Sequence, residues 1–462
     1  MDKLESISAR IQRLRPAQYF GSVTEIRAGL VRVAGLSTHA SIGDRVILSA
    51  ITGQTGEIVA LGEKTADVLP ESPAEGLSIG TEVELIFAPY LAPSTAWIGR
   101  IIDPLGRPID GRPLAQGSQP RAFNLPAPEA VTRKRLGARL NTGLAIFDTL
   151  LPIVRGQRIG LFAGSGVGKS TLLSSLSRGV QADLVIIALI GERGRELREF
   201  VETVLGPEGM ARAIMIAATS DQSPLIRRRC AWTAMTVAEH FRDQGKHVLF
   251  LADSITRFAE AHREIALAAG EGASYRGFPP STSHLIMSLS ERAGPGPEGT
   301  GDITGIFSVL VAGSDMEEPI ADILRGVLDG HVVLDRAIAE RGRFPAVDIL
   351  RSVSRALPHA ASQTENALIS RARTMLGTYA ESELMIKAGL YVTGSDPNLD
   401  EAVRLYPALD TFVTRHSPDG CTASFAMLAD ALRTPQTKTG SASIEGTIRE
   451  PIHITASHSG GS

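Results

Sequence analysis

Residues 160–173 read GLFAGSGVGKSTLL, and the fold turns on this stretch. A phosphate-binding loop has the form G-x-x-x-x-G-K-[ST] between an apolar strand and a helix. The strand-like run RIGLFA (158–163) leads in and a helix-compatible run leads out, which is the required setting. The strict form would have glycine at 163, where this chain has Ala163. That methyl costs little while φ stays negative, because later residues build the cradle. Gly164, Gly166 and Gly168 let the backbone curl so that successive N–H groups face one anion. Lys169 supplies a cation for the β- and γ-phosphates, and the Ser170 hydroxyl is placed to ligate Mg²⁺. The candidate nucleotide contacts are thus Gly164, Ser165, Gly166, Val167, Gly168, Lys169, Ser170 and Thr171, with ATP and Mg²⁺ as the ligands.

Around the loop, LVIIALIG (184–191), AIMIAAT (213–219), VLFLAD (248–253) and FSVLVAG (307–313) alternate with helix-compatible segments. Near-continuous apolar strands are what a parallel sheet covered on both faces requires, so the predicted core is α/β. In such a sheet the strand C-termini line one crevice, where Lys169, Glu192 and Asp253 should converge. Asp253, closing HVLFLAD, suits the Mg²⁺ water shell opposite Ser170, although an Asp there serves equally as a helix N-cap. Glu192, in GERGRE, could polarise an attacking water and Arg193 could meet the γ-phosphate. The same segment also reads as a charged, solvated helix start.

The remainder of the 462 residues is too long for one ordinary domain. Residues 1–18 carry an amphipathic helical stripe (Leu4, Ile7, Ile11, Leu14) interleaved with Lys3, Arg10, Arg13 and Arg15, suited to a partner, an anionic lipid surface or its own domain. From 19 to 95, short β-branched runs between glycines predict a small β-barrel or sandwich. IIDPLGRPIDGRPLAQGSQP reads as a linker, 96–360 as the nucleotide-binding core, and 361–432 as a helical domain. Residues 433–462 lack aromatics and are rich in Ser, Thr and Gly, the composition of a disordered tail. A net charge of −3 gives no electrostatic case for nucleic acid or membrane as broad partners. Cys230 and Cys421 lack metal or redox spacing, and no H-E-x-x-H pattern occurs among ten histidines. With no apolar signal segment and no run near the ~18 residues that span a bilayer, the chain reads as cytoplasmic.

Taken together, LNTGLAIFDTLL (140–151), the loop, ALIGERGRELREF, DQSPLIRRR, VLFLADSITRFAEAHREIALAAGE, GFPPS, LSERAG, GSDMEEPIADILRGVLDGHVVLDR, FPAVDILRSVSR and GSDPNLDEAV resemble the rotary-type ATPases. More narrowly they resemble the type III protein export ATPases, of which the flagellar enzyme is one branch. Flagellar-type members often carry FAGSGVGKS, which accounts for Ala163. The resemblance implies a P-loop (RecA-like) core with an N-terminal barrel and a C-terminal helical domain. It implies a homohexamer with ATP sites between subunits, peripheral to the inner-membrane export apparatus. A stator-like regulator at the N-terminus, a central coiled-coil stalk, the export gate, substrates and chaperones are its implied partners. By motif match Glu192 is the catalytic carboxylate, Arg193 a γ-phosphate contact and Glu196 a group near the metal. Phe344 falls where relatives stack an aromatic on adenine, and Arg355 where an arginine finger enters the neighbour's site. An injectisome ATPase shares nearly every motif. A synthase catalytic subunit would show an acidic DELSEE-type segment, and a hexameric RNA translocase would show basic and aromatic platforms; neither is present.

Overall fold

The computed structural model describes residues 17–433 apart from 28, 50, 87–89 and 312–315. The helix expected over 1–18 and the tail expected over 433–462 lie, but for residues 17, 18 and 433, outside the described residues.

Six strands come first: β1 (Phe20–Arg27), β2 (Leu30–Ala34), β3 (Arg45–Ser49), β4 (Gln54–Leu61), β5 (Thr65–Pro70) and β6 (Glu82–Leu85). They close into a barrel in the order β1-β2-β5-β4-β3-β6. Alternating residues fill it, with Val31, Val33, Val46, Leu48, Ile58 and Val68 inside. Closure leaves this sheet no unpaired edge.

The core sheet has nine strands. Eight form its path: β7 (Arg100–Ile102), β8 (Arg158–Ala163), β9 (Leu184–Glu192), β10 (Ala213–Thr219), β11 (His247–Asp253), β12 (Asp302–Leu310), β13 (Gly330–Leu334) and β14 (Val347–Ser354). Their spatial order is β14-β13-β8-β12-β11-β9-β10-β7. All pairs on this path are parallel except β13–β14, where the chain doubles back at the edge. The apolar runs are unbroken because both faces are covered. Leu161, Ile187 and Leu251 face one core, which receives Leu172 and Leu176 of α1 (Lys169–Gly179). Phe162, Ile186 and Phe250 face the other, which packs on α3 (Pro224–Asp243). Between them in sequence lies the short α2 (Gly194–Glu199).

The Pro/Gly-rich passage after residue 100 is not a bare linker: Arg100–Ile102 is the edge strand β7, paired in parallel with Ile214–Ile216. Three residues are too few to show a period, so the pattern carried no strand signal. The passage then folds back on itself. Arg100 bonds Asp110 at 2.5 Å, and the Trp97 indole N–H donates to the Ala115 carbonyl at 2.6 Å.

Further helices of the core and C-terminus are α4 (Ile255–Ala268), α5 (Ser281–Arg292), α6 (Pro319–Val327) and α7 (Gln363–Lys387). Helices α8 (Pro397–Val413) and α9 (Cys421–Ala431) complete the C-terminal unit. α7 opens on a capping box between Ser362 and Glu365, and α8 on the Asp396 cap followed by Pro397. Contacts that root this unit in the core include Arg139–Glu365 at 2.9 Å, Arg343–Asp410 at 2.8 Å, Ser424 Oγ to Asp148 at 2.9 Å, and Cys421 N–H to Asn141 Oδ1 at 3.0 Å. Among the described residues no helix is long and apolar enough to cross a membrane.

Buried histidines make the core acid-sensitive. Burial, foremost, pushes the imidazoles of His240, His247 and His262 down to about 4 from an ordinary 6.5. The unfolded chain then binds more protons between those values, so stability falls as pH drops from 6.5 towards 4. These histidines are therefore expected to lower the melting temperature between pH 7.5 and 5.5, against a smaller opposing gain from the Glu192 carboxyl, whose raised pKa favours the fold at lower pH. His247→Gln, which keeps a partner for Thr304 (2.8 Å from the ring nitrogen), should flatten that slope.

Candidate active site

β8 ends at Ala163, which is fully buried and pairs in register with Leu310 of β12 on one side and Leu334 of β13 on the other. Its carbonyl accepts from Val311 N–H at 3.1 Å, so the strand is held up to its last residue. The chain then curls. Gly168 sits at φ 86°, where a side chain would be strained, and a Cβ there would come within 3.2 Å of the Phe344 ring. Among the described residues nothing accepts from the backbone N–H groups of Ser165, Gly166 or Gly168. These orphan donors, at the N-terminus of α1, form an anion cradle. Ser165, Ser170 and Thr171 are exposed there, whereas the Val167 side chain is buried and offers only its backbone.

Two carboxylates arrive from neighbouring strands. β9 and β10 pair one-to-one as far as Ile190, then the register jumps to Glu192, with Gly191 at φ 70° in the bulge. The bulge turns Glu192 toward the loop. Asp253 closes β11 and is nearly buried. It does not cap the following helix: Ser254 does, accepting from Arg257 N–H. Lys169 Nζ instead donates to Asp253 Oδ1 and lies 4.0 Å from Glu192 Oε1. Burial first, and the Asp253 charge second, raise the Glu192 carboxyl to about 7, against the opposing pull of Lys169.

A cleft of about 770 Å³ opens over the loop, bordered by Lys169, Ser170, Glu192, Arg193 and Glu196. That is within the range of small-molecule sites. A recess of about 200 Å³ behind it joins Ser170, Glu192, Glu196 and Asp253. Among the described residues no group of three or more His, Cys, Asp or Glu could hold a metal by itself. Mg²⁺ does not require one, since it keeps waters and takes one or two protein groups together with substrate phosphates. The exposed Ser170 hydroxyl with Asp253 and Glu196 fits that donor set.

Other candidates are placed differently. Arg193 stands at the exposed start of α2, its guanidinium on Glu196 Oε1 at 3.1 Å. Phe344 is half exposed and abuts the loop at Gly168. Arg355, just past edge strand β14, does not border this chain's own cleft. It donates to the Leu328 and Arg325 carbonyls, both at 3.0 Å, at the C-terminal end of α6. The site also holds residues that escaped the sequence reading, Arg257 and Ser308 among them. Arg257 borders the cleft from the first turn of α4, paired with Glu260 at 3.0 Å; its signal was its position four residues after Asp253. Ser308, inside the apolar strand β12, donates to Asp253 at 2.6 Å; it gave no signal.

An anion cradle at a strand–helix junction, with a lysine and two carboxylates at the ends of adjacent parallel strands, defines a nucleotide-binding protein of the P-loop class. Residues 143–354 match the ATP synthase alpha/beta family, nucleotide-binding domain, and residues 361–432 match the T3SS EscN ATPase C-terminal domain. The flagellum-specific ATP synthase of Caulobacter vibrioides is 43% identical over 93% of this chain and 99% of its own. The type 3 secretion system ATPase of Xanthomonas euvesicatoria is 38% identical over 89% of this chain and 93% of its own. The assembled ATPase EscN of the enteropathogenic E. coli type III secretion system superposes with a TM-score of 0.83 at 34% identity, over 89% of this chain and 100% of that one. The chain belongs to the family of flagellum-specific and type III secretion ATPases.

Proposed function

We propose that this chain hydrolyses ATP as one subunit of a hexameric ring at the cytoplasmic base of a flagellar export apparatus, driving release of substrates from chaperones and their passage through the export gate. The observation that carries this reading is the meeting of Lys169, Glu192 and Asp253 beneath the loop, with Arg355 set away from it. The loop N–H groups hold the polyphosphate, and Lys169 exchanges Asp253 for the β- and γ-oxygens. Glu192 orients and polarises the attacking water. Arg193 and Arg257 border the phosphate end, and Arg355 of one subunit serves the site of the next. Ser170, Asp253 and Glu196 are the groups that would hold Mg²⁺, directly or through water, and the ion would neutralise phosphate charge. EscN has been solved in complex with its central stalk EscO, and a stalk of that kind is the partner proposed for this ring. The N-terminal segment is assigned to a stator-like regulator.

The flagellar branch is favoured over the injectisome by FAGSGVGKS and GERGRELREF, and by flagellar relatives at 43% and 44% identity. The test is genetic. The gene should restore motility to a strain lacking its flagellar export ATPase and should not restore secretion to an injectisome mutant; the opposite pattern would reverse the assignment.

Phe344 is assigned to stack on adenine. A base–aromatic stack is worth ~1–3 kcal/mol, so Phe344→Ala should weaken ATP binding about 10-fold or more. Binding of inorganic tripolyphosphate, which has no base, should be unchanged. Equal loss for both ligands, read by calorimetry, would mean that the ring only shapes the loop.

A further inference from the structure

We infer that Ser308 is a positioning residue for the metal side of the site: its hydroxyl holds the Asp253 carboxylate in place once Lys169 has turned to the nucleotide. This rests on the proposed role of Asp253.

β11 and β12 run parallel, with Ala252 opposite Phe307, so the next residues, Asp253 and Ser308, stand side by side. Along β12 the side chains alternate: Phe307 enters the core beneath α3, while Ile306 enters the one beneath α1. Ser308 shares the Ile306 face and is wholly buried. A hydroxyl taken out of water among apolar neighbours is costly unless bonded. Among the described residues its one side-chain hydrogen bond is to Asp253 Oδ1 at 2.6 Å.

The same Oδ1 also receives Lys169 Nζ. Two donors on one oxygen are redundant while the loop is empty of phosphate, since either alone keeps the carboxylate fixed. Binding of a polyphosphate removes the redundancy. Lys169 cannot hold Asp253 and the phosphates equally well, and the lysine follows the larger negative charge. Ser308 is then the protein donor left on Oδ1, and Oδ2 keeps its direction. A partner of this kind, behind a metal-associated group, typically contributes 10–100-fold in metal affinity or activity. Its contribution should therefore appear in the nucleotide-and-metal state and be nearly silent in the free protein.

The experiment compares ADP affinity in Mg²⁺ with ADP affinity in EDTA for the full-length protein, by calorimetry, together with the melting temperature of the free protein. Their ratio is the gain due to Mg²⁺. Ser308→Ala should lower that gain about 10-fold, leave ADP binding in EDTA unchanged, and barely move the melting temperature. In an Asp253→Asn background, Ser308→Ala should change the gain less than about twofold, because the pair acts as a unit. A gain unchanged in Ser308→Ala, while Asp253→Asn reduces it, would overturn the role of Ser308 alone. Equal weakening with and without Mg²⁺ would do the same, and would make the serine a packing residue. A gain that survives Asp253→Asn would overturn the Asp253 assignment and this inference with it.

Discussion

Glu192→Gln is expected to leave ATP bound and nearly unhydrolysed. The substitution keeps the shape of the side chain in its bulge after Ile190 but removes the carboxylate proposed to polarise the attacking water. Positioned proton-transfer groups contribute about 10²–10⁴-fold, and kcat should fall by that amount. The dissociation constant for ATP should stay within a few-fold, because phosphate binding is assigned to the loop and Lys169. Lys169→Ala is the contrasting case. It removes the cation from the phosphates and also strips Asp253 of one of its two Oδ1 donors. Both nucleotide affinity and turnover should be lost. Rapid-quench assays with calorimetry separate the two patterns. A Glu192→Gln protein with near-normal turnover would remove this residue from the mechanism.

Arg355→Ala should cost as much by a different route. An arginine finger stabilises charge spread over the transferring phosphoryl group and is worth about 10³–10⁵ in kcat. In this chain the guanidinium lies on the carbonyls of Leu328 and Arg325, outside its own cleft. An isolated subunit should therefore bind ATP normally and turn it over slowly. Wild-type rate per subunit should rise steeply with protein concentration as rings form, and Arg355→Ala should stay flat while still binding ATP. Heterologous contacts that close into a ring give each site one neighbour to supply the finger.

The fold was largely legible because its strands are long and apolar. Five runs of six to eight residues announced a sheet covered on both faces, and the glycine-rich loop placed its phosphate end. The barrel was legible only as barrel or sandwich, since alternation sets which residues point inward but not closure. β7 was missed because its three residues, within a Pro/Gly-rich passage, show no period. The candidate site divides along the same line. Lys169, Glu192 and Asp253 are marked by their place at strand ends or in the loop. The Gly191 bulge that aims Glu192 is a matter of register between two strands distant in sequence. Ser308 was invisible for the opposite reason: a single hydroxyl inside an apolar run says nothing until the neighbouring strand shows what it faces. Arg355 was reached through family resemblance alone, because the role proposed for it lies in another subunit and its bonds within the chain, to the Leu328 and Arg325 carbonyls, do not mark it.

If one chain supplies the carboxylate and its neighbour the arginine, two proteins that are each inactive should complement one another when mixed. Glu192→Gln keeps its finger, and Arg355→Ala keeps its carboxylate. In rings assembled from equal parts of the two, about a quarter of the interfaces hold one intact group from each side. Hydrolysis by the mixture should therefore climb well above the sum of the separate proteins, towards that fraction of the wild-type rate. A mixture no faster than its components, in rings shown to contain both chains, would contradict shared sites.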